Sequence, residues 1–493
     1  MALRSIALLS LPLVALAVAP GLPLEGRDLF DPVCVSIASA ISSASNVYYP
    51  GVCHPKYTSG IFHWGSSSSE LSKCVVEPGT PADVGVILGI VGSTRTPFAV
   101  KGGGHSSNPG FSSTTGVHIS MARFSAVTYD AATQTVEVGA GLKWDDVYEA
   151  LEPYNVNVVG GRVSGVGVAG FTLGGGYSWK TNQYGLTIDT VVAYELVKPD
   201  GTVTTVTKTS DPELFFGLKG GLNNFGIVTK FTLKTHPQTQ VWGGIKTITA
   251  NHIDDVAAVT AAFNANVTDP KASVLTTYNF LLGRPGIVLI LFYDGPTPPA
   301  GIFDDFLAIP HFTSDVKTRS FLSLVQASPA ELTSGARVIF NSVSLIDLSP
   351  NILDVILNET VYWGQQLSLK SGIFISYDVE PFLPNLYSHN PDTTAFPPVR
   401  SLGLLPLNIY FAWTISAFDN DFYDAAKASA KAIYDAAIAE GQTSAIGAPI
   451  YPNYAIFDTP LSNIYGDNVP ALQALKARVD PSNVMGLAGG FKF

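Results

Sequence analysis

The chain has 493 residues, a length at which two domains are expected rather than one core. Charged residues make up only 14% against the usual quarter, and the net charge is −11 without long like-charge runs, which excludes the basic stripe of a nucleic-acid binder. The longest apolar run, residues 6–18, is too short to span a membrane, so no membrane partner is expected.

That run follows Arg4 and ends in an A-x-A site at residues 17–19, the pattern of a secretory signal peptide. Pro20 disfavours cleavage directly after the site, so residues 1–22 are assigned to the signal and the chain is expected to be secreted. Two glycosylation sequons, Asn266-Val267-Thr268 and Asn358-Glu359-Thr360, suit that route. Cys34, Cys53 and Cys74 are an odd set; one disulfide pinning the N-terminal segment is expected, with one thiol over. No C-x-x-C pair suggests zinc.

Residues 34–45 read as a helix, followed by an aromatic loop and a strand from Cys74. Thr80-Pro81-Ala82-Asp83 opens a helix, with Thr as N-cap, Pro at N1 and Asp reaching back. Residues 97–100 form a strand that runs into KGGGHSSNPG at 101–110. Its three glycines let the backbone lie flat against a ligand, successive N–H groups make an anion-binding nest, and His105 stands at the nest's edge. Strands follow at 117–120, 126–129 and 135–139, then a helix at 144–152 and a strand at 156–159. The next stretch, GGRVSGVGVAGFTLGGGYSWKTNQYGL, carries too much glycine for a helix or a central strand. It contains G-x-G-x-x-G at 165–170 with no helical periodicity after it, a poor match to the nicotinamide-dinucleotide fold. A hairpin at 191–197 and 203–207 turns on Lys198-Pro199-Asp200-Gly201. A short helix opens at Asp211-Pro212-Glu213, and a strand at 226–233 follows another glycine–asparagine loop.

Composition changes near residue 240. Strands at 242–248, 274–282, 286–293, 372–377 and 407–416, a helix at 253–263 and a helix-containing crossover at 302–350 suggest one antiparallel sheet with helices on a single face, an α+β arrangement. Residues 422–439 are an Ala-rich helix stopped by Gly441, and 470–478 is the last helix.

No nucleophile elbow is present, and His54, His63, His118, His236, His252, His311 and His389 are scattered without metal-binding spacing, so no metal is expected. Two glycine loops without an acid–base cluster point to an organic cofactor that does the chemistry. FAVKGGGHSSNPGF, GGRVSGVGVAGFTLGGGYSWKTNQYGLTID, PELFFGLKGGLNNFGIVT and YPNYA…YGDN…LKARVDPSNVM occur in that order. With these motifs, region 71–237 resembles the PCMH-type FAD-binding domain of the vanillyl-alcohol oxidase superfamily. Residues 448–492 resemble the C-terminal segment of its berberine-bridge-enzyme-like branch. The resemblance implies a two-domain fold: an FAD domain at 34–240 completed by 446–493, around an antiparallel-sheet, helix-covered substrate domain at 241–445.

It also implies roles. His105 falls where the family's histidine bonds to the flavin, and Gly102, Gly103, Gly104, Ser106, Ser107 and Gly110 would surround the pyrophosphate. Val166, Gly167, Gly170, Gly174, Gly175 and Gly176 would line the isoalloxazine and ribityl chain. Ile227 and Val228 would meet the adenine, and Tyr451 and Asn453 would face the flavin. Cys34 and Cys74 match the family's disulfide pair. Two positions depart from it: Val163 stands where doubly linked members have Cys, leaving His105 as the single anchor, and Phe171 stands where plant members have His. On the substrate side, Tyr410 or Asn408 of the strand LNIYFAW is expected to point at substrate, with Trp413 as plain packing, and Tyr377 and Asp378 lie near another strand end. Tyr451 and Tyr410 are the catalytic candidates; a Tyr base needs a pKa lowered from about 10.

The implied activity is that of a monomeric, FAD-dependent oxidase of a small-molecule alcohol, sugar or phenol. O2 would be its partner and H2O2 a product. The alternatives are a dehydrogenase with another acceptor and a non-catalytic flavin binder. Val166 argues for oxygen, because family members with valine there tend to be oxidases.

Overall fold

The computed structural model describes residues 30–51, 54–281, 283–328 and 330–493. The signal-peptide segment and Cys53 lie outside the described residues.

Helix Pro32–Ala40 starts earlier than its sequence pattern, because Asp31 caps it and Pro32 occupies the first turn. It also stops earlier, since Ile41 is extended and Ser42 turns to bind Asp83. Cys34 is bonded to Cys74 at the start of strand Cys74–Glu77. That strand runs parallel to Val117–Ser120, which is parallel to Phe98–Lys101, with Asn46–Tyr48 antiparallel on the outer edge. Helix Pro81–Thr94 makes the crossover, and its cap is as read: Thr80 Oγ1 accepts from the Asp83 N–H at 3.1 Å. A second, antiparallel sheet has the order Val127–Asp130, Thr135–Gly139, Ile227–Lys234, Val191–Val197, Val203–Thr207. The first two carry through the turn at 130–133, the last two through the expected hairpin, where Gly201 sits at φ 85°.

The glycine-rich stretch corrects the reading. A short helix, Val168–Leu173, lies inside it. Only one glycine falls in its interior, which costs about 1 kcal/mol, and burial of Val168 and Leu173 outweighs that.

The second half forms an antiparallel sheet. Its path is Thr313–Ser314, Val241–Thr249, Arg284–Tyr293, Ala272–Leu281, Gly372–Val379, Leu405–Trp413, Arg337–Leu345. The region read as a crossover at 302–350 thus holds the strand Arg337–Leu345, and the 19-residue helix Pro350–Ser368 begins at its end. That strand was hidden because its outward and inward residues, such as Asn341 and Ser342, are both polar and buried. Helices Pro350–Ser368 and Asp419–Ala439 cover one face. Trp413 stacks on Phe422 with ring centres 4.4 Å apart, Tyr377 bonds Ser429 at 2.7 Å, and Phe280 packs against Gly364. By the period of two, the alternate residues face the other way, toward the first two sheets.

The chain then returns to the first half. Ala488 bridges to Phe98, Asn224 Nδ2 donates to the Phe491 carbonyl at 2.9 Å, and Asn108 Nδ2 donates to the Ala455 carbonyl at 2.8 Å.

Candidate active site

Between the two glycine loops and the uncovered sheet face lies a cavity of about 1530 Å³. Small-molecule pockets normally enclose about 300–1,000 Å³, so this one has room for two occupants.

One wall is backbone. Gly102, Gly103 and Gly104 meet Gly167 so closely that a Cβ on Gly103 would stand 2.4 Å from the Gly167 Cα, and one on Gly167 would stand 2.5 Å from the Gly103 nitrogen. The two glycine stretches are therefore one surface. His105 projects from its edge, stacked on Trp64 at 4.3 Å between ring centres with a 10° interplanar angle. The Trp64 backbone N–H donates to the Gly104 carbonyl at 3.0 Å, which ties the backbone carrying the indole to the loop. Burial pushes the His105 imidazole down to about 4, so the ring is neutral near pH 7, and its buried Nε2 has no hydrogen-bond partner among the described residues. A neutral ring with an unspent nitrogen is what bond formation to a ligand requires.

Ser106, Ser107, Val163, Val166, Gly170, Phe171, Ile227 and Val228 also line the cavity, and Ser107 Oγ accepts from the Phe340 N–H at 3.2 Å. Four of the expected lining glycines do not. Gly110 turns back against Gly489, where a Cβ on the latter would meet its carbonyl. Gly174, Gly175 and Gly176 are buried behind the wall: a Cβ on Gly174 would strike the Asn453 amide, one on Gly175 would touch Phe396 and Tyr451, and one on Gly176 would strike Thr187 and Phe171. Gly174 and Gly175 admit Asn453 and Tyr451 of the C-terminal segment, and Gly176 admits Thr187 and Phe171.

The facing wall comes from alternate residues of paired strands. Register sets Thr277, Asp378 and Asn408 side by side, and then Asn279, Ser376, Tyr410 and Phe340. Asn408 and Tyr410 thus both face the cavity, whereas Trp413 and Tyr377 point to the helices. Asp378 accepts from Ser376 Oγ at 2.8 Å and Asn408 Nδ2 at 3.1 Å; burial nonetheless pushes its carboxyl above the ordinary value. Beside it, Arg162 Nη2 pairs with Glu380 at 2.7 Å, and Tyr454 Oη donates to Glu380 at 2.9 Å. Sequence reasoning gave Asp378 little weight and missed Trp64, Arg162 and Glu380; Arg162 lies inside the second glycine motif, but only the fold brings it to Glu380.

Tyr451 and Tyr410 are both at the cavity, and each phenol is raised above its ordinary value. Burial pushes Tyr451 up to about 12, although its oxygen accepts from the Gly176 N–H at 3.1 Å and Asn453 Nδ2 at 2.9 Å. Burial also raises Tyr410, whose hydroxyl donates to Thr333.

The family described as an FAD binding domain matches residues 72–207. The FAD-dependent monooxygenase drtC of Aspergillus calidoustus is 31% identical over 453 residues, 87% of this chain and 84% of drtC. The chain belongs to the FAD-linked oxidoreductases. An uncharacterized FAD-linked oxidoreductase of Arthroderma benhamiae is 39% identical over 281 residues, a match that spans 56% of either protein. In fold, the enzyme is similar to Physcomitrella patens BBE-like 1, with a TM-score of 0.74 at 20% identity, covering 92% and 97% of the two chains. It is equally similar to 6-hydroxy-D-nicotine oxidase from Arthrobacter nicotinovorans, with a TM-score of 0.75 at 18% identity, covering 91% and 97%. The site's residues suit FAD: the cradle that a Cβ would fill, the unspent His105 nitrogen and the double-sized cavity all fit a long, flat cofactor beside a substrate.

Proposed function

We propose that the enzyme is a secreted, FAD-dependent oxidase of a substrate hydroxyl, with its flavin held by a single bond to His105. The observation that carries this reading is the neutral, unpartnered His105 facing a buried carboxylate, Asp378, across one cavity. FAD, when bound, supplies the hydride acceptor, with O2 as final acceptor and H2O2 as product. Asp378 takes the substrate's hydroxyl proton, and its bonds from Ser376 and Asn408 hold the carboxylate aimed into the cavity. Arg162 and Tyr454 hold Glu380 beside it, and this bonded set ties the C-terminal segment to the sheet. Val163 offers no second anchor, which supports the single link. The division into an FAD domain at 34–240 and 446–493 and a substrate domain at 241–445 belongs to the same reading. So does secretion, which the solvent-exposed sequon residues Asn266 and Asn358 support.

The relative's name favours a second reading, a monooxygenase. Stoichiometry separates the two: an oxidase releases one H2O2 per substrate, whereas a monooxygenase places an atom of labelled O2 in the product. Asp378→Asn tests the proton step. It is expected to lower kcat by about 10²–10⁴ with flavin content unchanged. Because the base must be ionised, wild-type kcat/KM should rise with pH through a value above the usual carboxylate range. A variant of undiminished rate removes Asp378 from the mechanism.

A further inference from the structure

The cations that line the cavity stand on or against its sheet wall. Among the described lining residues only Arg162 and Arg284 carry permanent positive charge; Arg162 is paired with Glu380, and Arg284 is solvent-exposed on its strand. The lysines of the glycine motifs are turned elsewhere. Lys101 Nζ donates to the Ser59 and Gly60 carbonyls at 3.2 and 2.8 Å, Lys180 is buried 3.6 Å from Asp294, and Lys219 lies over the Phe215 ring. An anionic group on the glycine wall would therefore meet backbone N–H groups there, which carry only partial charge.

One lysine reaches that wall from the far end of the chain. Gly489 and Gly490 line the cavity beside Phe111 and Asn223. Lys492 Nζ donates to Asn223 Oδ1 at 2.7 Å and stands 3.8 Å from where a Cβ on Gly490 would lie, so its ammonium sits at the cavity rim. The Asn223 amide is clamped in that orientation, because its Nδ2 donates to the Gly489 carbonyl at 3.2 Å. An ammonium has three protons, and Asn223 is the one hydrogen-bond partner of Lys492 among the described residues.

This lysine also lacks a counter-charge of its own. Asp480, the carboxylate that acts on it from a distance, is paired with Lys476 and accepts from the Val484 and Met485 N–H groups at 2.8 Å each. Burial, and then the charge of Lys476, push the Lys492 ammonium down to about 7. Nor is Lys492 needed to seat the segment that carries it. Phe491 meets Phe111 edge-on at 4.9 Å between ring centres, Phe493 meets Tyr465 at 4.9 Å, and Asn224 bonds the Phe491 carbonyl and the Phe493 N–H. A cation at a cavity rim, short of an anion and unused by the packing around it, marks the place of an anionic ligand group.

We propose that Lys492, oriented by Asn223, is a phosphate anchor that takes charge from the ADP half of the cofactor, opposite the glycine loop. This rests on the cavity holding FAD. A lysine binds phosphate as a point charge, so it adds to the backbone nest the full charge that the nest lacks. Asn223 lies four residues before Ile227, so the anchor stands at the part of the wall that leads to the Ile227–Val228 end of the cavity.

Calorimetry on the full chain, made in a riboflavin-starved host so that the site is open, tests the anchor with ADP as probe. Riboflavin, which has no phosphate, is the control and is read by quenching of its fluorescence. Lys492→Met is expected to raise the ADP Kd about tenfold, or about 1.4 kcal/mol, and to leave the riboflavin Kd unchanged. Lys492→Arg keeps the charge and should hold the ADP Kd within about threefold of wild type. An ADP Kd that Lys492→Met leaves unchanged, no ADP binding by the wild-type chain, or an equal loss of riboflavin affinity overturns the proposal; the last would make Lys492 a structural peg. Failure of the FAD reading is seen separately, as protein from an unstarved host without flavin absorbance.

Discussion

Trp64 and His105 set the first prediction at the residue scale. A ring held flat on an indole keeps one orientation, so loss of the indole should loosen the imidazole without removing it. His105→Ala is expected to abolish covalent flavin, seen as the loss of a fluorescent band on a denaturing gel. Trp64→Ala should leave flavin bound but lower its covalent fraction severalfold. Equal covalent fractions in Trp64→Ala and wild type would show that the stack does not orient the ring. Val166, half-buried at the cavity wall, carries the second prediction. Interiors are close-packed, so one added methylene there removes space of the order of an O2 molecule. Val166→Ile is expected to slow aerobic reoxidation of the reduced flavin at least tenfold more than it slows reduction by substrate, in stopped-flow mixing.

At the scale of elements, Asp83 joins two helices. Its carboxylate accepts from the Ser42 N–H at 2.8 Å, Ser42 Oγ at 2.7 Å, Ser45 Oγ at 2.6 Å and Thr80 Oγ1 at 2.9 Å. Burial works to raise its pKa, but these bonds outweigh it and hold the group near 2, against 3.8 when free. A depressed carboxylate stabilises the fold above its unfolded pKa and loses that contribution as pH falls through its folded pKa. Asp83→Ala is therefore expected to cost about 2 kcal/mol at pH 7, and the gap to wild type should close between about pH 4 and 2 in urea unfolding. The cap at Thr80-Pro81-Ala82-Asp83 was legible because capping is local chemistry. The hairpin at Pro199-Asp200-Gly201 and the last helix were legible for the same reason. The strand Arg337–Leu345 and the cavity's Asp378–Asn408 row were not, because both depend on which strand lies beside which. Likewise the glycines at 174–176 read as a ligand cradle, while the side chains packed on them are Asn453 at Gly174, Phe396 and Tyr451 at Gly175, and Thr187 and Phe171 at Gly176; sequence shows that a backbone is bare but not what approaches it.

Across the whole molecule, the Cys34–Cys74 bond closes a loop of 40 residues that contains the first helix and Trp64. Limiting the unfolded chain in this way contributes about 2–4 kcal/mol. Cys34→Ser is expected to lower the unfolding free energy by that amount, read as a lower urea midpoint, and an unchanged midpoint would assign the bond no stabilising role. The cavity draws on residues from Trp64 to Gly490. Tyr451, Asn453, Tyr454 and Gly489 share the cavity with residues 102–107 and with Val166, Gly167, Gly170 and Phe171, which are made hundreds of positions earlier. During synthesis both glycine loops leave the ribosome long before the segment that encloses them. The enclosed cavity is therefore complete only once the C-terminal segment has been made, and a chain truncated before Tyr451 is expected to purify with less flavin colour than the full one.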